Sequence, residues 1–407
     1  MATVTTDRPV DLRRLAIPAY GPSLLFGLGE GAILPVVALS ARDLGASVPT
    51  AAAVVMLINV GSLLFNVPAS VITHRFGERW AIVGAAALGV VASVLCALAP
   101  SLAVFASGVL LFGVSASVFM LARQSYLTEA IPAHYRARAL STLGGVMRVG
   151  VFVGPFLGAA AIQLTDLRGA YAVCGLALVV AGLVGALLPE LPSRSTGSAA
   201  TPVTVRGVLS EHRRTFLTVG VGIMLVAAVR ASRQVVIPLW AENLGLSPQT
   251  ASIVYGVAGG IDMLVFYPAG KVMDVRGRRW VTVPSMLVMG LALLAMPLTS
   301  GLVAFTVVSC VLGFGNGIGS GMVMTLGADF SPPVGRAQFL GIWRELSDIG
   351  ATGGPALLSG FTALLSLGAA IAASGVIGLL AAVVLWRSVP SVTGRPPAPR
   401  PTRAAGS

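Results

Sequence analysis

The stretch Pro68-A-S-V-I-T-H-R-F-G-E-R-Trp80 returns 200 residues later as Pro268-A-G-K-V-M-D-V-R-G-R-R-Trp280, with no gap. Pro68/Pro268, Ala69/Ala269, Gly77/Gly277, Arg79/Arg279 and Trp80/Trp280 recur in register. Each copy is a short basic segment clamped between two long apolar runs. The echo continues through Leu44-Gly45 and Leu244-Gly245, Gly113 and Gly313, Pro132 and Pro332, and Arg136-Ala137 and Arg336-Ala337. It reaches Gly150, Gly154 and Pro155, which match Gly350, Gly354 and Pro355. The chain is built twice, and the two basic turns are its clearest fixed points.

A soluble chain of 407 residues would divide into two or three domains. Composition overrules that division. Hydrophobic residues make up 56% and charged residues 10%, too little charge to coat a water-soluble surface of this size. The apolar residues fall in blocks of about 20, the length at which a helix crosses a bilayer. The expected fold is an all-α membrane protein of twelve transmembrane helices in two six-helix bundles. The net charge of +12 sits between apolar blocks and has no interleaved aromatics. It reads as topogenic charge rather than a nucleic-acid surface. Cys96, Cys174 and Cys310 lie inside apolar blocks without metal-ligand spacing and read as small core residues. The first residues are polar and basic, and the first apolar block has spanning length, so no cleavable signal is expected.

The twelve spans are predicted near 17–40, 49–73, 80–98, 101–123, 139–163 and 170–188, then 216–240, 249–273, 280–299, 301–325, 338–363 and 366–387. This organises the chain as an N-terminal tail 1–16, a six-helix bundle 17–189, a linker 190–215, a second bundle 216–387 and a disordered tail 388–407. The linker is rich in Ser, Thr, Pro and Gly, with a short interfacial helix expected around Glu211–Arg214. About 20 of the 27 Lys and Arg residues fall on the side that holds both tails, the linker and both repeated turns. Only Arg42 and Arg168 lie on the other side. That bias puts both termini in the cytoplasm of a multi-pass protein of the cell membrane.

The second turn, Gly270-K-V-M-Asp274-V-R-Gly277-Arg278-Arg279, is similar to the G-x-x-x-D-x-x-G-R-R loop signature of the major facilitator superfamily. The resemblance covers nearly the whole chain. It implies a cytoplasmic latch between the halves, formed by His74, Arg75, Gly77 and Arg79 in the first copy and by Gly270, Asp274, Gly277, Arg278 and Arg279 in the second. The first copy departs from the signature, with His74 in place of Asp and Ser70 in place of Gly, so the second should carry more of the conformational control. Gly150-V-F-V-Gly154-Pro155-F-L-Gly158 resembles an element of antiporters in that superfamily, with Gly350, Gly354 and Pro355 as its counterpart. A helix-bending gate and plain small-residue packing are both open readings of these positions. Leu28-Gly29-E-G-A-I-L-Pro35 is similar to an element of twelve-span drug exporters, with Ala38 where a second Pro is usual. Family exporters often carry an Arg early in the fourth helix, and Val109 stands there instead.

Charges inside spans cost about 2.5–3.5 kcal/mol each and need a partner or a wet cavity. Glu30 lies five residues before Pro35, and Arg233 five before Pro238 in the equivalent helix. These two are expected to face each other across a central cavity, with Glu30 as a proton-coupling site. Arg148 and Asp262 lie at similar depth, Asp262 about 18 Å in from its loop at 1.5 Å per residue. They are expected to pair across the domain interface, as a structural latch or as a relay in which Asp262 also carries a proton. Arg344 and Asp348 fit an i, i+4 pair. Arg230, one turn earlier than Arg233, is open to two readings, snorkelling to the cytoplasmic interface or a role in the interior. Arg123, Gln234 and Asn59 are candidate cavity or substrate contacts, while Asn66 reads as a bridge between helices. Trp240 and Tyr255 fit a cavity mouth or an interfacial belt.

These readings point to a secondary active transporter, a proton-coupled antiporter in drug or metabolite efflux by alternating access. With few cavity charges in sight, the expected substrate is a small amphipathic or hydrophobic compound. An importer or uniporter of a nutrient is the alternative. No enzyme constellation is present: the three histidines, His74, His134 and His212, all fall in segments read as cytoplasmic. The expected partners are a small molecule, a proton and the lipid bilayer, with no nucleic acid, cofactor or metal, and the protein is expected to be a monomer.

Overall fold

The computed structural model describes residues 12–130, 136–190, 205–332 and 335–390. The N-terminal tail before residue 12, Pro132, His134, linker residues 191–204 and the tail from 391 lie outside the described residues. So do the side chains of Arg13, Arg14, Arg136, Arg138 and Asp274.

Among the described residues, twelve long helices make up the two halves. The first half holds α1 (Ile17–Asp43), α2 (Val48–Phe76), α3 (Glu78–Ala97), α4 (Leu102–Ala130), α5 (Arg136–Leu164) and α6 (Arg168–Ala186). The second holds α7 (Arg213–Asn243), α8 (Pro248–Arg276), α9 (Arg279–Leu298), α10 (Leu302–Phe330), α11 (Arg336–Leu364) and α12 (Leu367–Ser388). Eleven are long and apolar enough to cross a membrane. The twelfth, α11, is 29 residues long but carries Arg336, Arg344, Glu345 and Asp348, which dilute its hydropathy. Helices α4 and α10 run to Ala130 and Phe330, past the expected ends near 123 and 325. The apolar run stops earlier, but Gln124, Ser125, Thr128 and Glu129 continue the same helix as a polar extension. The linker forms a short helix at Val205–Glu211, earlier than expected, which packs on α11 with Val208 buried.

The repeated turns are tight because one glycine makes each of them. Gly77 (φ 80°) and Gly277 (φ 100°) hold a backbone region that side chains with a Cβ rarely enter. On the opposite face, Ser47 and Ser247 cap α2 and α8 in the same way, each accepting from the amide three residues on, with a Pro in the first two helical positions, Pro49 and Pro248.

Two helices are interrupted. Helix α1 loses its regular ladder over residues 34–36, where Pro35 has no amide hydrogen to give the Gly31 carbonyl. Helix α10 turns at 319–321, within Gly319-Ser320-Gly321.

Packing inside each half follows one plan. Helix α1 packs on α5 and α6, α2 on α4, and α3 on α4 and α6; α7 packs on α11 and α12, α8 on α10, and α9 on α10 and α12. Glycines set the closest crossings. A Cβ on Gly150 would run into the Leu24 carbonyl oxygen, and one on Gly350 into that of Met224, its counterpart. Gly154 and Gly354 press in the same way on the carbonyls of Leu28 and Ala228. Gly158 continues the seam against Ala32. The Gly/Pro element of α5 and its copy in α11 are thus the seams by which each half holds its first helix. Gly113 on Ile58 and Gly313 on Ala258 repeat this between α4 and α2 and between α10 and α8.

The halves meet through α2 with α11 and α5 with α8. These contacts are also copies of each other. Asn66 Nδ2 donates to Asp348 Oδ2 at 2.8 Å, and at the equivalent positions Arg148 stacks 4.3 Å over the Phe266 ring. Asn59 Nδ2 donates to the Ala351 carbonyl at 3.2 Å, and Ser359 Oγ to the Pro49 carbonyl at 2.8 Å. Farthest from the termini, Arg42 Nε pairs with Glu242 Oε1 at 2.9 Å. These two positions are also 200 residues apart, so the pair bridges the halves at their shared axis. These cross-half contacts lie at mid-depth or on the side away from the termini, so the structure is closed on that far side.

Two expectations follow. Gly354→Ala should lower thermal stability by about 1–3 kcal/mol through overpacking, whereas Gly353→Ala beside it, with open space, should be neutral or stabilising. Thermal unfolding of the purified variants checks this, and equal behaviour would refute the seam. Second, Glu242→Gln should weaken far-side closure by about 0.2–1 kcal/mol, the scale of a half-exposed pair. Spin-label distances across that face should then shift toward an open population, and Arg42→Glu combined with Glu242→Arg should restore the closed one.

Candidate functional site

The polar residues of the spans gather around one carboxylate. Asp262 sits at the centre of α8, with 14 residues on either side of it in that helix. Its Oδ1 is 4.0 Å from Arg148 Nη1 of α5, and its Oδ2 is 3.8 Å from Arg233 Nη2 of α7. Asn316 of α10 donates from Nδ2 to the same Oδ2. Arg230 Nε donates to Asn316 Oδ1 at 2.7 Å, and Arg230 Nη2 to Ser320 Oγ at 3.5 Å. Arg148 Nη1 also donates to Ser320. Four helices thus contribute to one network, and the network crosses between the halves through Arg148.

Local structure explains how these groups reach one another. The turn at Gly319-Ser320-Gly321 breaks α10 in the middle of the bundle and presents Ser320 to two guanidinium groups. Gly317 brings α10 onto the backbone of Asp262, where a Cβ would meet the Asp262 carbonyl oxygen at 2.6 Å. That close approach lets the short Asn316 side chain span the gap. Broken helices at mid-membrane are stable only where the freed backbone and polar groups find partners or line a cavity.

Glu30 stands apart from this network. It lies on α1 four residues before the break, with its carbonyl accepting from Leu34 at 3.0 Å. No ion pair joins Glu30 and Arg233 among the described residues, although Tyr255 lies within the field of both. The charge acting on Glu30 is instead Arg123 of α4, and no ion pair under 4 Å joins them among the described residues. The reason is register. The repeat runs at an offset of 200, which makes Arg230 the counterpart of Glu30. Pro35 and Pro238 differ by 203, so counting from the prolines misplaces Arg233 by about one helical turn. Tyr255 of α8 fills the space between the two centres. It is buried, it feels the charges of Arg233, Glu30 and Asp262, and the Arg233 guanidinium lies 5.6 Å from its ring centroid.

The other polar candidates distribute as follows. Arg123 Nε and Nη1 are buried and lack hydrogen-bond partners, as does Arg233 Nη1. Arg344 Nε is 3.7 Å from Asp348 Oδ2 within α11, and Arg344 also acts on Arg123 across the halves. Gln234 is half-buried beside Arg233, and Asn59 is taken up by its bond to Ala351. Arg230 bonds inside the bundle rather than reaching the interface. Trp240 is a core residue, its indole donating to Thr299 Oγ1 at 2.8 Å, and not part of a cavity mouth. Sequence reading passed over Asn316 and Ser320, which stand in the run Gly313-F-G-N-G-I-G-S-Gly321 and look like packing residues. Four glycines before Ser320 and one directly after it were the available sign of a helix break.

At the repeated turns, the following contacts among the described residues stay within each half. Arg79 pairs with Glu190 at 3.5 Å and stacks on Trp80. Arg75 lies over the ring of Phe76, and His74 is exposed. Arg278 Nε pairs with Asp329 at 2.7 Å and its Nη1 donates to the Met273 carbonyl. Arg279 stacks 3.5 Å over Trp386 of α12. Gly270 has open space around it. The named contacts tie each turn to its own bundle in a structure closed on the opposite face.

Similarity to known proteins agrees with this architecture. A bacterial homologue of the human lysosomal transporter Spinster, in an inward-facing and unoccupied conformation, superposes with a TM-score of 0.78 at 15% identity, over 94% of this chain and 97% of that one. The xylose transporter XylE from E. coli, in an inward open conformation, gives a TM-score of 0.72 at 18% identity, over 94% and 98%. The MFS-type transporter pydD of Acremonium sp is 30% identical over 97 residues, which span 24% of this chain and 17% of that protein. The Major Facilitator Superfamily profile matches residues 23–229 and again residues 219–406, one match for each half. With both six-helix halves matched and the twelve-helix architecture shared, the chain belongs to the Major Facilitator Superfamily.

Proposed function

We propose that this multi-pass membrane transporter is a proton-coupled antiporter that exports a small amphipathic compound by alternating access. Its termini then lie in the cytoplasm, its far face is extracellular, and it works as a monomer in the cell membrane. The observation that carries the reading is the isolation of Glu30. Asp262 already has partners, with Arg148 and Arg233 within 4.0 Å and the Asn316 amide donating to it. Glu30 has Arg123 alone for a countercharge, at longer range, and lies beside the break in α1. It is the carboxylate best placed to gain and lose a proton.

A proton taken up at Glu30 neutralises the carboxylate and leaves Arg123 without its countercharge. Its release restores the Glu30–Arg123 attraction. Tyr255 links that change to Arg233 and Asp262, so the protonation of one half bears on the charges of the other. Export is supported by the Leu28–Pro35 element and by the Gly150–Gly158 seam of α5. Import is the second reading, favoured by Val109, an apolar core residue where exporters often carry an Arg.

Proteoliposomes with an imposed pH gradient test this, with a panel of dyes and antibiotics as substrates. Glu30→Gln should abolish gradient-driven accumulation while preserving gradient-independent exchange of the same compound. Intact gradient-driven export in that variant would overturn the assignment. Arg123→Gln should impair both modes, because it removes the group that Glu30 releases and recaptures.

A further inference from the structure

The network around Asp262 is short of negative charge. Arg148, Arg230 and Arg233 bring three guanidinium groups to one carboxylate, an excess of two positive charges in the middle of a bundle. The polar residues that join them, Asn316 and Ser320, are neutral. Of the other span carboxylates among the described residues, Glu30 feels Arg123 at longer range and Asp348 pairs with Arg344 and Asn66. A guanidinium stays charged in proteins, so the excess is not relieved by proton loss. Arg233 is the sharpest case. Its side chain is 11% exposed, one nitrogen faces Asp262, and Nη1 is buried with no hydrogen-bond partner. Arg148 is more open, at 32%, and lies against the ring of Phe266. Unpaired guanidinium hydrogens at mid-membrane are costly unless something accepts them.

Resting on the transport reading above, we infer that the substrate is a small organic oxyanion. Its carboxylate, phosphate or sulfonate head binds Arg233 and Arg148 beside Asp262, and its apolar body lies against Tyr255 and Phe266. An oxyanion matches this set because its paired oxygens accept from the fork of a guanidinium. It also supplies the missing countercharge only while it is bound, so loading and unloading change the net charge of the interface between α5 and α8. An uncharged drug would leave the excess uncompensated, and a cation would add to it.

The test separates binding from transport by using two dyes with one body. 8-Anilino-1-naphthalenesulfonate carries the anionic head, and N-phenyl-1-naphthylamine lacks it. Saturable fluorescence binding to the full chain in neutral-lipid nanodiscs, against empty nanodiscs, should be seen for the sulfonate. Arg233→Gln should weaken it by roughly tenfold or more, the scale of a charge-assisted hydrogen bond. Arg233→Lys should retain part of it. Asp262→Asn is the decisive variant. Removing the internal competitor should tighten sulfonate binding, whereas a merely structural role for Asp262 would loosen it. Equal binding of both dyes, insensitive to these variants, would overturn the anion assignment and leave proton-coupled transport standing. Sulfonate binding that follows the arginines, without movement under a pH gradient in proteoliposomes, would uphold the anion site and overturn the coupling.

Discussion

A charge at the centre of a membrane bundle must be answered by another charge or by water, and in this protein one carboxylate answers for three arginines. Asp262 holds Arg233 on α7, reaches Arg148 on α5, and binds Arg230 through Asn316. The rest of the interior is arranged to permit this. Gly317 lets α10 approach closely enough for Asn316 to bridge, and the turn at Gly319-Ser320-Gly321 turns a helix segment into a ligand for two guanidinium groups. Because Arg148 belongs to the first half and the remainder to the second, the same cluster that gathers the charge also joins the bundles.

The two halves share a packing plan but not a polar one. Seams of glycine on carbonyl recur position by position, at Gly150 and Gly350, Gly154 and Gly354, Gly113 and Gly313. Backbone approach depends only on the absence of a side chain, so duplication preserves it without further adjustment. Charged positions diverge instead: Glu30 corresponds to Arg230, Arg148 to Asp348, and Asn66 to Phe266. A transporter that rocks one half against the other needs similar bodies and dissimilar cavity walls, and this division of roles provides both.

The same contrast governs what could be read without coordinates. The repeat, the twelve spans and the side bearing the basic turns were legible because they rest on glycine, proline, apolar length and charge bias, each a local property. Counting inward from the loops placed Arg148 and Asp262 at one depth, and they stand 4.0 Å apart. Counting from the prolines matched Glu30 to Arg233, but Pro35 and Pro238 are out of the repeat register by three residues, nearly a full turn, and no ion pair joins the two among the described residues. Asn316 and Ser320 escaped notice because a polar residue among glycines gives no periodic signal. The excess of positive charge was also hidden, since Arg230 could not be told from an interfacial residue until its helix neighbours were known.

The pair that closes the far side carries a consequence for the duplication itself. Arg42 and Glu242 occupy the same place in the two repeats and meet on the axis between them. On such an axis a faithful copy always faces its own likeness, and two arginines or two glutamates there would repel. Attraction at that point requires that one copy change sign. Two identical halves assembled as a dimer would lack this attraction at the axis of the closed face.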